Sequence, residues 1–403
     1  MAGPAVVFLT VMALLAVTVF TGLGRTTAAA DPQNFAGSLA SPQVRTVIRL
    51  GSPDFHPRQL AYDPLRNGIW FWTSTQDHGI TFTNRVYYYD IERAQLRSWP
   101  IYSGDWSSQL HAGLAVDQKG DVWIGWNHHL VDFRPADGSY VRYEIPARAT
   151  YPLPAAVIRD LPADLGITDV AVGKNGTIWI ARYGALSLTS FSPTNRTFSE
   201  HALPPNAGDP AKIAIGPDGH VFFITNLSAD HPGYGAEKVG EFDPRSGSTV
   251  VTEHGALSLA VTARGDVYTG LSLRAFGLGR LSASERANAH AQSRAPKFQE
   301  QLVPFDIDDR AVAVDGNGRV WVAVGGRPEI AVLSPASGRI QVFQYAAPAI
   351  TSWPAWDAQP GIPRTTPKPG AVWLSHIVAM VTDKEGHLWY VREGSSNIEE
   401  VVA

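Results

Sequence analysis

Residues 312 to 324 read VAVDGNGRVWVAV. A short apolar run meets a polar turn that closes on Gly318, and a second apolar run follows with Trp321 near its start. Gly adopts positive φ without steric cost and the Asp and Asn before it favour tight turns, so the segment predicts a β-hairpin. The unit recurs as LAYDPLRNGIWFW from Leu60, LAVDQKGDVWIGW from Leu114, VAVGKNGTIWIAR from Val170, IAIGPDGHVFFIT from Ile213, LAVTARGDVYTGL from Leu259 and MVTDKEGHLWYVR from Met380. The glycines (Gly68, Gly120, Gly176, Gly219, Gly265, Gly318 and Gly386) stand 43 to 68 residues apart, a period of propeller blades rather than of solenoid repeats.

Each hairpin is followed by a third strand, a turn and a fourth, as in VDFRPADGSYVRYEIP (131 to 146), LTSFSPTNRTFSEHALP (188 to 204), VGEFDPRSGSTVVTEHG (239 to 255) and IAVLSPASGRIQVFQY (330 to 345). The pattern predicts an all-β, seven-bladed β-propeller with four-stranded antiparallel blades over residues 44 to 403. The last repeat ends at its third strand, Ile398 to Val402, and VRTVIRL, Val44 to Leu50, resembles the fourth strands elsewhere. Pairing these two segments in one blade closes the ring and removes exposed edges. The alternative is six blades with the first, weaker copy outside the ring.

Residues 5 to 23 are apolar and lead through Arg25, Thr26 and Thr27 to Ala28, Ala29, Ala30 and Asp31. That layout predicts a signal peptide over residues 1 to 30, a linker over 31 to 43 and a secreted, periplasmic or cell-surface protein. The alternative is an uncleaved anchor, because the run approaches spanning length. No later segment does. The chain has no Cys, which excludes thiol nucleophiles and thiolate metal sites, and a propeller of this size buries enough core to fold without disulfides. A net charge of -4 with scattered Lys and Arg gives no reason to expect nucleic acid as a partner.

In a propeller, the blade-to-blade connections open on the same face as the loops between second and third strands. Connections 100 to 112, 147 to 168 and 345 to 377, with loops 73 to 85 and 226 to 237, all fall on that face and mark it as site-bearing. On the opposite face the turns are short except for 283 to 297, read as a polar, mobile excursion. The 345 to 377 insert holds Trp353, Trp356 and Trp373 among Pro354, Pro360, Pro363, Pro367 and Pro369. It suits a stiff aromatic lid over an apolar or sugar-like ligand, or else packs onto the blades beneath.

The channel mouth on that face is expected to carry His56, Arg58, His111, Asp209, Asp308, Asp309, Arg310 and His376, with Trp126, Arg182, Arg392 and Glu393 at the ends of second strands. Imidazole, carboxylate and guanidinium groups around one mouth suit general acid and base chemistry or a divalent cation such as Mg or Ca; the other reading is a solvated or internally paired rim. His128 and His129, adjacent on a strand, face opposite ways and cannot chelate one ion there. No GxSxG, P-loop or HExxH sequence is present.

With its repeats laid out, residues 44 to 403 resemble the streptogramin lyase group of seven-bladed propellers, through the "Gly, any residue, apolar, Trp" strand starts and the third and fourth strands quoted above. DQKGDVWIGW also resembles the sensor propellers of two-component regulators. The lyase resemblance implies a metal ion held by a His in one blade and a Glu-x-His pair in the next, each just before the first strand. At the final His position this chain has Arg58, Ala112, Thr168, Ala211, Leu257, Arg310 and Val378; two residues earlier it has His56, Leu110, Gly166, Asp209, Gly255, Asp308 and His376. A register shift of one would bring in His111 alone. The expectation is a lyase-like propeller without the lyase residues, a monomer that binds a small molecule, glycan or protein on its loop-rich face. The rival is a metal-assisted lyase or hydrolase using His111, His376 and Asp308 to Arg310 at the central channel.

Overall fold

Six of the seven repeat glycines lie at positive φ, from 75° at Gly318 to 89° at Gly219, where a side chain would strain the turn. The first hairpin differs: Asn67 takes the left-handed position at φ 50°, and Gly68 is needed for space. A Cβ on Gly68 would stand 2.2 Å from the Tyr88 ring.

The computed structural model describes residues 43 to 402 except 51–56, 58, 78–80, 106–111, 127, 147–165, 184, 206, 227–237, 272–276, 302–306, 325–327, 346–376, 393–394 and 396. Seven four-stranded antiparallel sheets form from it, six of them from consecutive strands. The seventh orders Gln43–Arg49 beside Asn397–Val402, then Leu388–Arg392 and Ile377–Thr382. Val44 pairs with Val401 and Ile48 with Ile398, so the ring closes end to end as the sequence predicts and has seven blades, not six. The first strands of successive blades touch in cyclic order and form the inner wall.

The apolar core is divided among the blade junctions. One cluster joins blades 1 and 2 through Trp70, Trp72, Leu114 and Phe133; another joins blades 7 and 1 through Ile48, Phe71 and Trp389. The repeat aromatics Trp70, Trp123, Trp179, Phe222, Tyr268, Trp321 and Trp389 are all buried, at most 5% exposed. Four of the indoles also bond the Asp that opens their own turn: Trp70 donates to Asp63, Trp123 to Asp117, Trp321 to Asp315 and Trp389 to Asp383, at 3.0 to 3.3 Å. Blades 3 to 5 have Gly173, Gly216 and Thr262 in place of that Asp; Trp179 packs on His201 and Phe242 instead. Trp179→Ala is expected to cost about 3 to 5 kcal/mol, seen as a lower denaturation midpoint. An unchanged midpoint would place the indole outside the core.

On the face of the hairpin turns, side chains clasp one blade to the next. Arg66 donates to the Gly120 carbonyl at 2.8 Å, Gln118 to that of Lys174 at 2.8 Å, Lys174 to that of Pro217, and Arg319 to that of Gly386 at 3.2 Å. Blades 4 and 5 are clasped differently, and here the structure corrects the expected mobile excursion. Residues Ala283–Ala291 form a helix capped by Ser282, whose Oγ accepts from the Glu285 amide. Arg286 on this helix is buried against blade 4, 2.6 Å from Glu241 and 2.8 Å from Asp218. Arg286 makes that contact, while Glu285 and Arg294 of the same segment pair with each other.

Candidate functional site

Toward the loop-rich face, five of the seven inner strands carry, among the described residues, residues with no partner opposite. Thr168 is extra in Gly166–Val172, Ala211 in Asp209–Ile215, Leu257 in Ala256–Val261 and Val378 in Ile377–Thr382. In Ile307–Val314 the register jumps from Asp308 to Val312, spanning Arg310. Ala112 pairs directly with Trp126. Bulges bend a strand and re-aim its side chains, and they recur beside active sites. These extra residues are the positions singled out in the sequence as equivalent to the final lyase His.

Their chemistry is poor. Thr168 is buried and donates from Oγ1 to the Pro210 carbonyl at 3.1 Å, tying blade 3 to blade 4. Ala211, Leu257 and Val378 supply neither proton transfer nor a metal ligand, so these described positions offer no donors for a lyase-type metal.

Asp209 is buried, with Oδ1 accepting from the Leu186 amide at 3.2 Å. Arg182 is 1% exposed and donates to Glu200 at 3.2 Å, a carboxylate that also takes the Ser187 and Thr189 hydroxyls. Arg392 forms a bidentate pair with Glu399, at 2.7 and 2.5 Å, and lies 5.3 Å from the centre of the Tyr345 ring. Burial drives the neighbouring Tyr390 phenol far above its usual range. Trp126 is buried in the core between blades 1 and 2, with Trp72 and Val131.

The two arginines thus belong to blades 3 and 7, and each pairs with a carboxylate of its own blade. His56, Arg58, His111, His376 and Glu393 lie outside the described residues, as do Trp353, Trp356 and Trp373. Asp308 and Arg310 are described only through their backbone. Among the described residues, the groups that bring His and carboxylate together are His220, Glu241 and His290, and Asp383, His387 and Glu400. Both lie on the hairpin-turn side, and their carboxylates already serve Arg286, Trp389 and Arg45.

Asp169 and Lys212 went unrecognised in the sequence. Asp169 follows the blade 3 bulge; it accepts from the Val170 amide and, across the junction, from the Ile213 amide, each at 3.0 Å. Burial pushes its carboxyl up, opposed by the charge of Lys212 and by the two amides. The available signal was a charged residue inside each of two otherwise apolar inner strands, ITDVAV and AKIAI.

His254, on the connection from blade 4 to blade 5, stacks on Phe298 at 3.9 Å and meets the Thr269 hydroxyl at 3.0 Å. Burial pushes it down to about 4. The unfolded chain takes up this proton near pH ~6.5. The stability it confers is therefore complete above that pH and is lost as pH falls toward 4, by about 3 kcal/mol. Denaturation midpoints measured across that window should fall with acidification, and His254→Gln should flatten the slope. An unchanged slope would show that the imidazole is not held neutral.

No protein-family model matches the chain, and no curated protein matches its sequence. Solved structures do. A streptogramin B lyase superposes with a TM-score of 0.62 at 14% identity, covering 91% of this chain and 99% of its own. A catalytically inactive virginiamycin B lyase from Staphylococcus aureus with quinupristin gives 0.62 at 12%, covering 90% and 100%. The fold is that of streptogramin B lyase. A β-propeller domain from Myceliophteria thermophila scores 0.58 at 11% identity, covering 89% and 99%. At such identities the lyase likeness carries the architecture and leaves the chemistry to the residues above.

Proposed function

We propose that this chain is an exported lyase-like propeller that captures a small molecule, glycan or protein on its loop-rich face and does not carry out the lyase elimination. The observation that carries this reading is the identity of the inner-strand bulge residues. Thr168, Ala211, Leu257 and Val378 stand where a base or metal ligand would be needed, and the buried charges Arg182 and Arg392 pair with Glu200 and Glu399. Recognition falls to the 345 to 377 insert, whose tryptophans offer aromatic surface and whose prolines limit the entropy lost on binding. Residues 1 to 30 act as the export signal, and the mature N-terminus expected from secreted protein is Asp31.

The test has two arms. Quinupristin incubated with the protein, with and without divalent cation, should keep its ring intact by mass spectrometry. A thermal-shift screen of glycans and small molecules should yield a ligand whose affinity falls when residues 350 to 370 are shortened to a Gly-containing turn; folding should change little, because closure entropy varies slowly with loop length.

The rival metal-assisted reading has one observation in its favour: Asp169, a half-buried residue whose carboxyl desolvation pushes up, beside a lysine in the inner wall, has the character of a catalytic acid. Ring opening abolished by chelator or by Asp169→Asn would establish it. Full affinity in the shortened protein, with turnover lost in His111→Ala or Asp308→Ala, would equally decide for the enzyme.

A further inference from the structure

Four of the seven hairpins hold one carboxylate in the same way. At Asp117, Oδ1 accepts from the Lys119 and Asp121 amides and Oδ2 from the Trp123 indole, at 2.8 to 3.1 Å. Asp315 and Asp383 repeat this arrangement with Trp321 and Trp389. Asp63 does the same for Trp70 and two amides of its own turn. Blade 3 alone has the indole without the acid, because Gly173 stands at the Asp position that would serve Trp179.

Of the three donors that such an Asp would satisfy, one has found a substitute. Asn175 turns its Oδ1 onto the Thr177 amide at 3.1 Å. The Asn175 amide and Trp179 Nε1 make no hydrogen bond among the described residues. Trp179 is 5% exposed and, with Gly173 and Asn175, lines a pocket of about 210 Å³ between blades 3 and 4 on the hairpin-turn face. Its Nε1 borders the space beside Gly173, 3.2 Å from where a Cβ on that glycine would lie. Blade 4 also has a glycine at this position, but no such site. A Cβ on Gly216 would meet Asp218 Oδ1 at 2.6 Å and the Phe222 ring at 2.9 Å, and a phenyl ring offers no donor. In blade 5, Thr262 takes the place of the acid and accepts from the Asp266 amide at 3.0 Å.

Lys174 and Arg245 also line the blade 3 pocket. Its two acids are already engaged: Asp218 accepts from Arg286 and the His220 amide, and Asp243 from the Ser246 hydroxyl and the Arg245 amide. Unmet donors at a partly desolvated site carry a cost, and an ionised acceptor relieves it more strongly than a neutral one. The volume is below that of drug-sized ligand sites and suits a short chain.

We propose that the pocket between blades 3 and 4 binds a carboxylate carried on a short chain, one oxygen accepting from Trp179 Nε1 and the other from the Asn175 amide, with Lys174 and Arg245 as countercharge. The ligand supplies the group that the turn Asp supplies in blades 1, 2, 6 and 7. A free short-chain acid and the Asp side chain of a peptide present the same chemistry. This inference does not depend on the proposed function of the opposite face.

The test is a nuclear magnetic resonance titration of the isotope-labelled full chain at fixed ionic strength. The probes are propionate, its neutral counterpart propionamide, and a capped peptide with a single Asp. The indole N–H resonance that Trp179→Phe removes should shift saturably with propionate or the peptide and stay still with propionamide; the tighter of the two acids identifies the source. The Asn175 amide should report the same affinity, weakened about tenfold in Trp179→Phe. Gly173→Asp, at a position without positive φ, supplies the acid from within the chain. In that variant the indole resonance should already be displaced, and neither acid should move it. The proposal is overturned if neither acid shifts the resonance saturably, if propionamide shifts it equally, or if Gly173→Asp binds as tightly as the original chain.

Discussion

Deleting residues 42 to 49 should convert the protein into an association-prone form with a clearly lower unfolding midpoint. Those residues supply the outer strand of blade 7, and without them Asn397–Val402 becomes an edge with a row of unpaired amides and carbonyls. Ile48, 4% exposed, leaves the cluster it shares with Leu60, Phe71 and Trp389, a loss of about 1.5 to 3 kcal/mol for that side chain alone. Buried Glu400 also loses Arg45, 2.5 Å away. Ile48→Pro tests the same contact without shortening the chain, by removing both the side chain and a strand amide. Sedimentation and denaturant unfolding read both variants; a deletion that matched the full chain in each would show that the ring does not depend on end-to-end closure.

Arg286→Ala should be the most costly single change outside the aromatic core. The guanidinium is 5% exposed, bonds both oxygens of Glu241, reaches Asp218 and the Gly265 carbonyl, and lies 4.5 Å above the Phe222 ring. Burial pushes the Glu241 carboxyl up, but hydrogen bonds from His220 and Arg286 outweigh this and bring it down to about 2. Removing Arg286 leaves a buried carboxylate with the histidines alone, at a cost of about 3 to 5 kcal/mol. Because the folded pKa lies below the unfolded one, the contribution of Glu241 is present above about pH 4.5 and fades as pH falls toward 2. The variant should therefore lose most stability near neutrality and converge on the parent in acid. Adding Glu241→Leu to Arg286→Met should recover much of the loss, since an apolar pair replaces a buried ion pair at little cost. A single-variant loss below about 1 kcal/mol would show the pair to be screened like a surface one.

The sequence by itself determined the seven hairpins, the burial of the seven aromatics and the pairing of the two chain ends. Each of these is written in a local pattern: alternation for the strands, a glycine or asparagine at the left-handed turn position, an apolar residue on the buried side. Repeating the pattern seven times made it legible despite degeneracy. The terminal strand was readable because VRTVIRL has the form of a fourth strand and the last repeat lacks one.

Only the tertiary structure decided what happens between blades. Arg286 meets Asp218 across 68 residues and Arg45 meets Glu400 across 355, and no periodic trace marks either partner. The helix at Ala283–Ala291 looked like a polar excursion because the larger of its two buried residues is a charged one, paired with a carboxylate from a neighbouring blade. Bulges at Thr168, Ala211, Leu257 and Val378 arise from register between strands, a relation between two segments that neither contains alone.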